Sequence, residues 1–335
     1  TVYAELMGGY GAERDNVVYV HGKDEDGEDD FDNKFTIDWD DRFDADILES
    51  VGDLCFLTVG LEKDKGGKVY YKKFLTPYDM IAYINENLED GMVVNVKGNL
   101  KYSTYNDTTQ VKKEINSVVL SKIDDSSKYC ARFTQTMLLT KESVGKADKD
   151  TGVLPIYAKV LDYVKEYKGK EVKTNIPYEK TFEYELDLAN PETAQKVVSK
   201  VFKVQKGVTE VTFEGDLIEG GAVITATEDD IPDDIKTLIE IGVYTLEEAL
   251  AKCTVSSGRE KRMVIRKPTI KMVEDKDGNK TPIIQKFEKK YEEDDLILDF
   301  MVDTDEEETE NTDNTSGSDE EEVASNDDNS WLDNL

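Results

Sequence analysis

The chain has 335 residues, 38% of them hydrophobic, enough to bury a sizeable core and too many for one small domain. Its formal charge of −32 is unevenly placed: residues 292–335 carry 19 acidic side chains and no Lys or Arg, residues 23–49 carry 13 acidic against 3 basic, and residues 50–291 come to −1. The body is therefore near neutral, and polyanion binding there turns on where its lysines lie. No run approaches the roughly 18 apolar residues of a membrane span, and the start lacks a basic-then-apolar signal, so a cytosolic protein with no membrane partner is expected.

The acidic amino-terminal region holds Asp38, Asp40, Asp41, Asp44 and Asp46. A two-metal nuclease needs carboxylates converging from different strands, which local crowding does not supply. Neither Asp24-x-Asp26 nor Asp275-x-Asp277 has glycine at the sixth position of a calcium loop. Cys55, Cys130 and Cys253 lie far apart with no C-x-x-C, so they read as small hydrophobes rather than a zinc knuckle or disulfide framework. His21 is the only histidine and reads as a lone surface residue, which sets His-based triads and His-rich metal sites aside. With no Walker A loop, Gly-x-Ser-x-Gly elbow or Rossmann fingerprint, the expectation is a binding protein without catalytic residues or cofactor.

Strands are expected at residues 54–61 and 68–75, on either side of the hairpin signal Gly66-Gly67. Thr76-Pro77 then opens a helix with apolar Met80, Ile81, Ile84 and Leu88, because a capping oxygen accepts orphan N–H groups and proline lacks the donor that would go unsatisfied. Strands at 92–102 and 111–123 follow. The same order recurs: strands at 132–139, 155–167 and 181–188, Asn190-Pro191, a helix with Val197, Val198, Val201 and Phe202, a strand at 209–218 and a short last one at 222–226. Apolar residues alternate toward one face in each post-helix strand, Val94, Val96 and Leu100 in one, Val211, Phe213 and Leu217 in the other, and Gly98 and Gly215 predict a bulge or bend. Strand, strand, strand, helix, strand, strand is the order of an OB barrel. The fold class expected is mainly β (α+β), with tandem OB-like β-barrels at residues 1–125 and 128–228. A helical pair and basic β-hairpin segment at 229–291 and a disordered acidic tail at 292–335 complete it, the tail being too poor in apolar surface to offset ordering entropy.

OB barrels hold single strands by stacking bases on aromatic rings while lysines follow the phosphates. In the first domain the candidates are Tyr70, Tyr71, Lys72, Lys97, Lys101, Tyr102, Tyr105, Lys112 and Lys113. Taken singly, each tyrosine fits a barrel filler and each lysine a solvated exterior; the cluster carries the reading. Aligning Gly98 with Gly215 sets Lys97 against Glu214 and Asn99 against Asp216, so the second barrel is expected to bind elsewhere, through Lys159, Tyr163 and Lys165. Arg259, Arg262 and Arg266 lie in a basic stretch that suits either a phosphate clamp or a solvated strand rim.

The paired strand–helix–strand units, the Tyr/Lys faces and the terminal Trp331-Leu332-Asp333-Asn334-Leu335 after an acidic run together resemble the single-stranded DNA-binding proteins of bacteria and phages. The resemblance implies protection of single-stranded DNA in replication, recombination or repair inside a bacterial or phage-infected cell. It also implies a tail whose apolar tip, here Trp331, Leu332 and Leu335, docks onto replication or recombination proteins. The tip differs from the usual Asp-Ile-Pro-Phe of the bacterial family. Two readings of other classes stand beside it: an acidic chaperone or virion structural protein with no nucleic-acid role, and a metal-dependent nuclease.

Overall fold

The computed structural model describes residues 2–300 apart from 14, 107, 124, 221–222, 225–230, 232, 241–243, 247–249, 251–254, 257–259, 275–279, 289 and 299. The chain is mainly β and divides after Tyr129 into two compact units. No described helix is long and apolar enough to cross a membrane.

The unit Tyr3–Tyr129 starts with a two-stranded ribbon, β1 (Val17–Lys23) against β2 (Asp29–Asp38), followed by the short helix α1 (Ala45–Ser50). Asp44 caps α1 by accepting from the amides of Asp46 and Ile47. Val18, Val20, Ile37 and Val51 form the ribbon's core. A four-stranded sheet follows, built from β3 (Leu57–Lys63), β4 (Val69–Phe74), β5 (Val94–Tyr105) and β6 (Thr108–Leu120) in the order β4-β3-β6-β5, with β3 and β6 parallel. Between β4 and β5 lies α2 (Pro77–Asn87), capped by the Thr76 hydroxyl on the Asp79 amide with proline at its first position, as expected. Met80 is wholly buried against Val59, Leu61 and Val118, so one sheet face is the core and the other stays open. Val96, expected on the apolar face, is 47% exposed and lies outside the cluster around Met80 that takes in Val94.

The unit from Cys130 onward is a closed five-stranded barrel. Its strands are β7 (Arg132–Leu139), β8 (Val153–Tyr167), β9 (Lys170–Glu185), β10 (Thr209–Gly220) and, beyond the two-residue β11 (Val223–Ile224), helix α4 (Asp233–Glu240) and β12 (Val255–Ser256), the closing strand β13 (Glu260–Pro268). The order runs β7-β8-β9-β13-β10 and back to β7, with β9 and β13 parallel, which is the strand order of an OB barrel. The fifth strand therefore comes from the basic segment after an insertion and not from residues 222–226. Helix α3 (Pro191–Val197) and a π turn at Val198–Phe202 fill the space between β9 and β10. Phe202 packs on Phe213 and Tyr184, with ring centroids 5.3 and 5.0 Å away, closing one end of the barrel. Asn190 does not cap α3 with its side chain; its amide donates to Asp187 instead.

Both predicted glycine bulges are present: the register shifts between Lys97 and Gly98 and between Glu214 and Gly215. A Cβ on Gly98 would lie 1.9 Å from the Glu114 carbonyl oxygen, and one on Gly215 would lie 2.3 Å from that of Val264. The partner strand passes too close for any side chain there.

After the barrel closes, β14 (Ile270–Glu274) pairs with β15 (Lys280–Ile284), and β16 (Lys286–Glu288) adds to β10. The expected second helix near Thr245 and Glu248 falls largely outside the described residues. Ordered structure runs further than the expected tail boundary at 292: a 3-10 turn at Asp294–Leu296 buries Leu296 against Leu138 and Val208, and Phe300 meets the Tyr167 ring at 5.7 Å. Three apolar anchors, Tyr291, Leu296 and Phe300, offset the ordering cost that the acidic composition alone could not.

Candidate nucleic-acid interface

In the barrel, strict alternation along β8 buries Leu154, Ile156, Ala158 and Val160 and sends Tyr157, Lys159 and Tyr163 outward. Tyr157 and Tyr163 are 49% and 51% exposed. Lys165 is exposed beyond them, toward the turn into β9. On β9 the facing residues are Thr181, Glu179 and Asn175, and Lys159 makes a 3.7 Å pair with Glu179. Gly145, in the loop from β7 to β8, lets that loop lie against the Tyr157 ring, since a Cβ would approach it to 2.8 Å. The result is an open groove of about 580 Å³ lined by Lys141, Tyr157, Lys159 and Thr181, with Glu293 and Leu296 of the carboxyl-terminal segment along one wall. Tyr157 escaped the sequence reading, although the in–out alternation of residues 154–160 marks it as outward. In OB barrels this face, the second and third strands with the loop before them, is where oligonucleotides and oligosaccharides lie.

Of the basic stretch, Arg262 and Arg266 are held within the barrel wall. Arg262 lies 2.6 Å from Glu183, and Arg266 bonds both Glu185 and Asp216, which raises its pKa. Lys267 pairs with Glu214 at 3.1 Å. The carboxylates expected to repel phosphate are thus paired with the closing strand, and both arginines act as clasps between strands. Arg259 lies outside the described residues.

In the unit Tyr3–Tyr129 the candidate cluster divides. Tyr71 and Lys73 stand on the open face of the sheet, whereas Lys72 points to α2, 3.3 Å from Glu62 and 4.1 Å over the Tyr83 ring. Burial first, and then the hydrogen bond to Glu62, push the Tyr83 hydroxyl up, while the Tyr83 hydroxyl and then Lys72 hold the Glu62 carboxyl low. Tyr102 is a correction: at 5% exposure it is buried and offers no ring to a base. Tyr70 and Tyr105 are 57% and 69% exposed, Tyr105 at the tip of the β5–β6 hairpin. Lys112 pairs with Glu5 at 3.1 Å, Lys101 stands opposite Lys112, and Lys113 opposite Leu100. Strand register shows a row that sequence spacing hid: Lys73, Thr58, Ser117 and Lys97 lie side by side across all four strands of the open face. Gly60 beside it leaves room for the Tyr71 ring, which a Cβ would approach to 3.2 Å.

Among the described residues no group of three or more His, Cys, Asp or Glu side chains is placed to hold a metal ion. His21, expected alone at the surface, instead lies between Asp29 and Cys55. Trp331, Leu332 and Leu335 lie outside the described residues.

A family model described as YorF matches residues 59–236, more than half of the chain. The chain belongs to the YorF family. The YorF match runs from β3 into α4, so it takes in the open sheet and four of the five barrel strands while leaving out the β1–β2 ribbon and β13. No curated protein matches the chain.

Proposed function

We propose that this YorF-family protein binds single-stranded DNA without catalysing a reaction on it, the barrel providing the main surface through the outer side of β8. One observation carries the reading: two half-exposed rings, Tyr157 and Tyr163, on the outward side of β8 with Lys159 between them, on the second strand of a closed five-stranded barrel. Bases stack on such rings irrespective of sequence, and ammonium groups beside them neutralise the phosphates between successive bases. Lys97 and Tyr71 on the open sheet, in a row whose Lys73 is already paired with Asp53 at 2.9 Å, offer a second surface of the same chemistry in the other unit. Replication or recombination proteins are the proposed partners of the terminal Trp331, Leu332 and Leu335.

The test is fluorescence anisotropy with a labelled oligo(dT) over a salt series. Tyr157→Ala and Tyr163→Ala are each expected to weaken binding by about 1–3 kcal/mol, the usual worth of a base–ring stack. Lys159→Glu combined with Lys165→Glu should flatten the salt dependence by roughly 0.7 in logarithmic slope per lost phosphate contact. Lys97→Glu with Lys101→Glu asks the same of the open sheet. No measurable binding at low salt, or affinity indifferent to all of these changes, sinks the proposal; binding only to basic proteins would replace it with the chaperone reading.

A further inference from the structure

Between β2 and α1 the amino-terminal unit has an open groove of about 490 Å³. Its apolar lining comes from Phe35, Ile37 and Ile47, which belong to the cluster around Val18 and Val20, and its rim from the exposed Asp38, Asp41 and Asp46. Four consecutive residues of β2, 35–38, border it. Successive side chains of a strand point to opposite faces, so a groove that meets four in a row follows the strand's edge. That edge is open, since β1 is the one strand paired with β2 among the described residues. Tyr19, 77% exposed, stands opposite Thr36 in the ribbon, and Thr36 lines the groove.

Charge selects the occupant. None of the three rim carboxylates forms an ion pair or a side-chain hydrogen bond among the described residues. Residues 23–49 carry 13 acidic side chains and 3 basic ones, and two of those bases are engaged outside the segment, Lys23 with Asp53 at 3.5 Å and Arg42 with Asp79 at 2.8 Å. Uncompensated carboxylates above an apolar lining match a side chain with an aliphatic stem and a cationic head. An unpaired strand edge matches an extended backbone, which a small cation lacks.

We propose that this groove is a docking surface for a basic, arginine-containing segment of a partner protein. The segment's backbone lies along β2, and its cationic side chains reach Asp38, Asp41 and Asp46. Arginine fits better than lysine because a guanidinium is less strongly hydrated, forks onto carboxylates and stacks on rings. The same unit shows that mode in Arg42, which forks onto Asp79 while lying 4.2 Å over the Trp39 ring and 4.5 Å over that of Phe43. A nucleic-acid strand is the wrong occupant, since its phosphates would meet the acidic side chains of the whole segment. The groove lies outside the YorF match, which begins at Val59, and docking there does not depend on whether the barrel binds DNA.

The experiment titrates the full chain into a fluorescently labelled oligoarginine peptide of about nine residues at about 0.15 M salt, where exposed charges are screened beyond roughly 8 Å. Residues 301–335 carry 14 acidic side chains that also attract a polycation, so the decisive comparison keeps the charge change and moves its place. Asp38→Asn with Asp41→Asn and Asp46→Asn is expected to weaken binding on the order of tenfold, and Asp303→Asn with Asp305→Asn and Glu306→Gln by less than about threefold. Tyr19→Ala, at an exposed position, should weaken it by about threefold. An oligolysine peptide of equal length should bind several-fold more weakly than the arginine peptide. Equal losses from the two triple variants, equal affinity for the two peptides, or no saturable binding overturns the proposal. Hydrogen exchange asks the same of the unaltered chain: the arginine peptide should slow exchange at residues 35–50. Slowing confined to residues 301–335 overturns the docking surface, and slowing at 35–50 by oligo(dT) instead overturns the choice of partner.

Discussion

At the scale of single residues, the contacts that count are those where a charge has left water. Arg42 and Asp79 meet at 2.8 Å with side chains only 13% and 11% exposed, tying the turn after β2 to the first turn of α2. Arg42 also lies 4.2 Å over the Trp39 ring. Arg42→Ala strands a nearly buried carboxylate, and the expected loss is about 3–5 kcal/mol, read from urea unfolding. Asp29 gives a pH dependence of known sign. The Leu54 amide first, and His21 after it, hold its pKa below the usual carboxylate range. A folded-state value below the unfolded one stabilises fully above about pH 4, and that stabilisation fades as pH falls through the lowered value. The melting temperature should therefore drop between pH 6 and pH 3, and by less in Asp29→Asn.

Elements show which signals are local and which are not. Thr76-Pro77 sets α2 because the cap and the missing donor act within one turn, and Gly98 and Gly215 mark bulges because only glycine lets a partner strand pass that near. The closing strand was hidden for the opposite reason. Its partners β9 and β10 lie far upstream across residues 221–259, and its lysines and arginines look like a binding patch until Glu183, Glu185 and Asp216 are seen opposite. The parallel pairing of β3 with β6 is equally non-local, and with it the row of Lys73, Thr58, Ser117 and Lys97. The outward Tyr157 on β8 was legible from alternation, and so was the burial of Tyr102, which shares the face of Leu100 two residues before it. The segment at Leu296 supplies this scale's prediction. Leu296→Ala should cost about 2–5 kcal/mol if the cavity fails to collapse, and it should raise hydrogen exchange at residues 291–297 before the barrel opens.

For the molecule as a whole, the question is how a chain of net charge −32 can hold a polyanion. Division of the charge answers it: residues 301–335 contain 14 acidic side chains and no Lys or Arg, while the folded part has lysines on the outer side of β8 and across the open sheet. Charges on the same chain raise the local negative potential that incoming DNA must meet, over a range set by the Debye length of about 10 Å at 0.1 M salt. Where the chain is cut matters. Removal from Glu292 would also take out buried Leu296 and the Phe300 contact with Tyr167, confusing loss of charge with loss of structure. Truncation after Phe300 leaves both anchors in place and removes only the acidic extension. On the proposed function, that truncated chain should bind oligo(dT) more tightly than the full chain at 50 mM salt and with nearly equal affinity at 0.5 M, where screening erases the difference. An advantage that persists undiminished at high salt would mean the extension blocks the face by contact, and no advantage at any salt would mean it does not act on the DNA-binding surface at all.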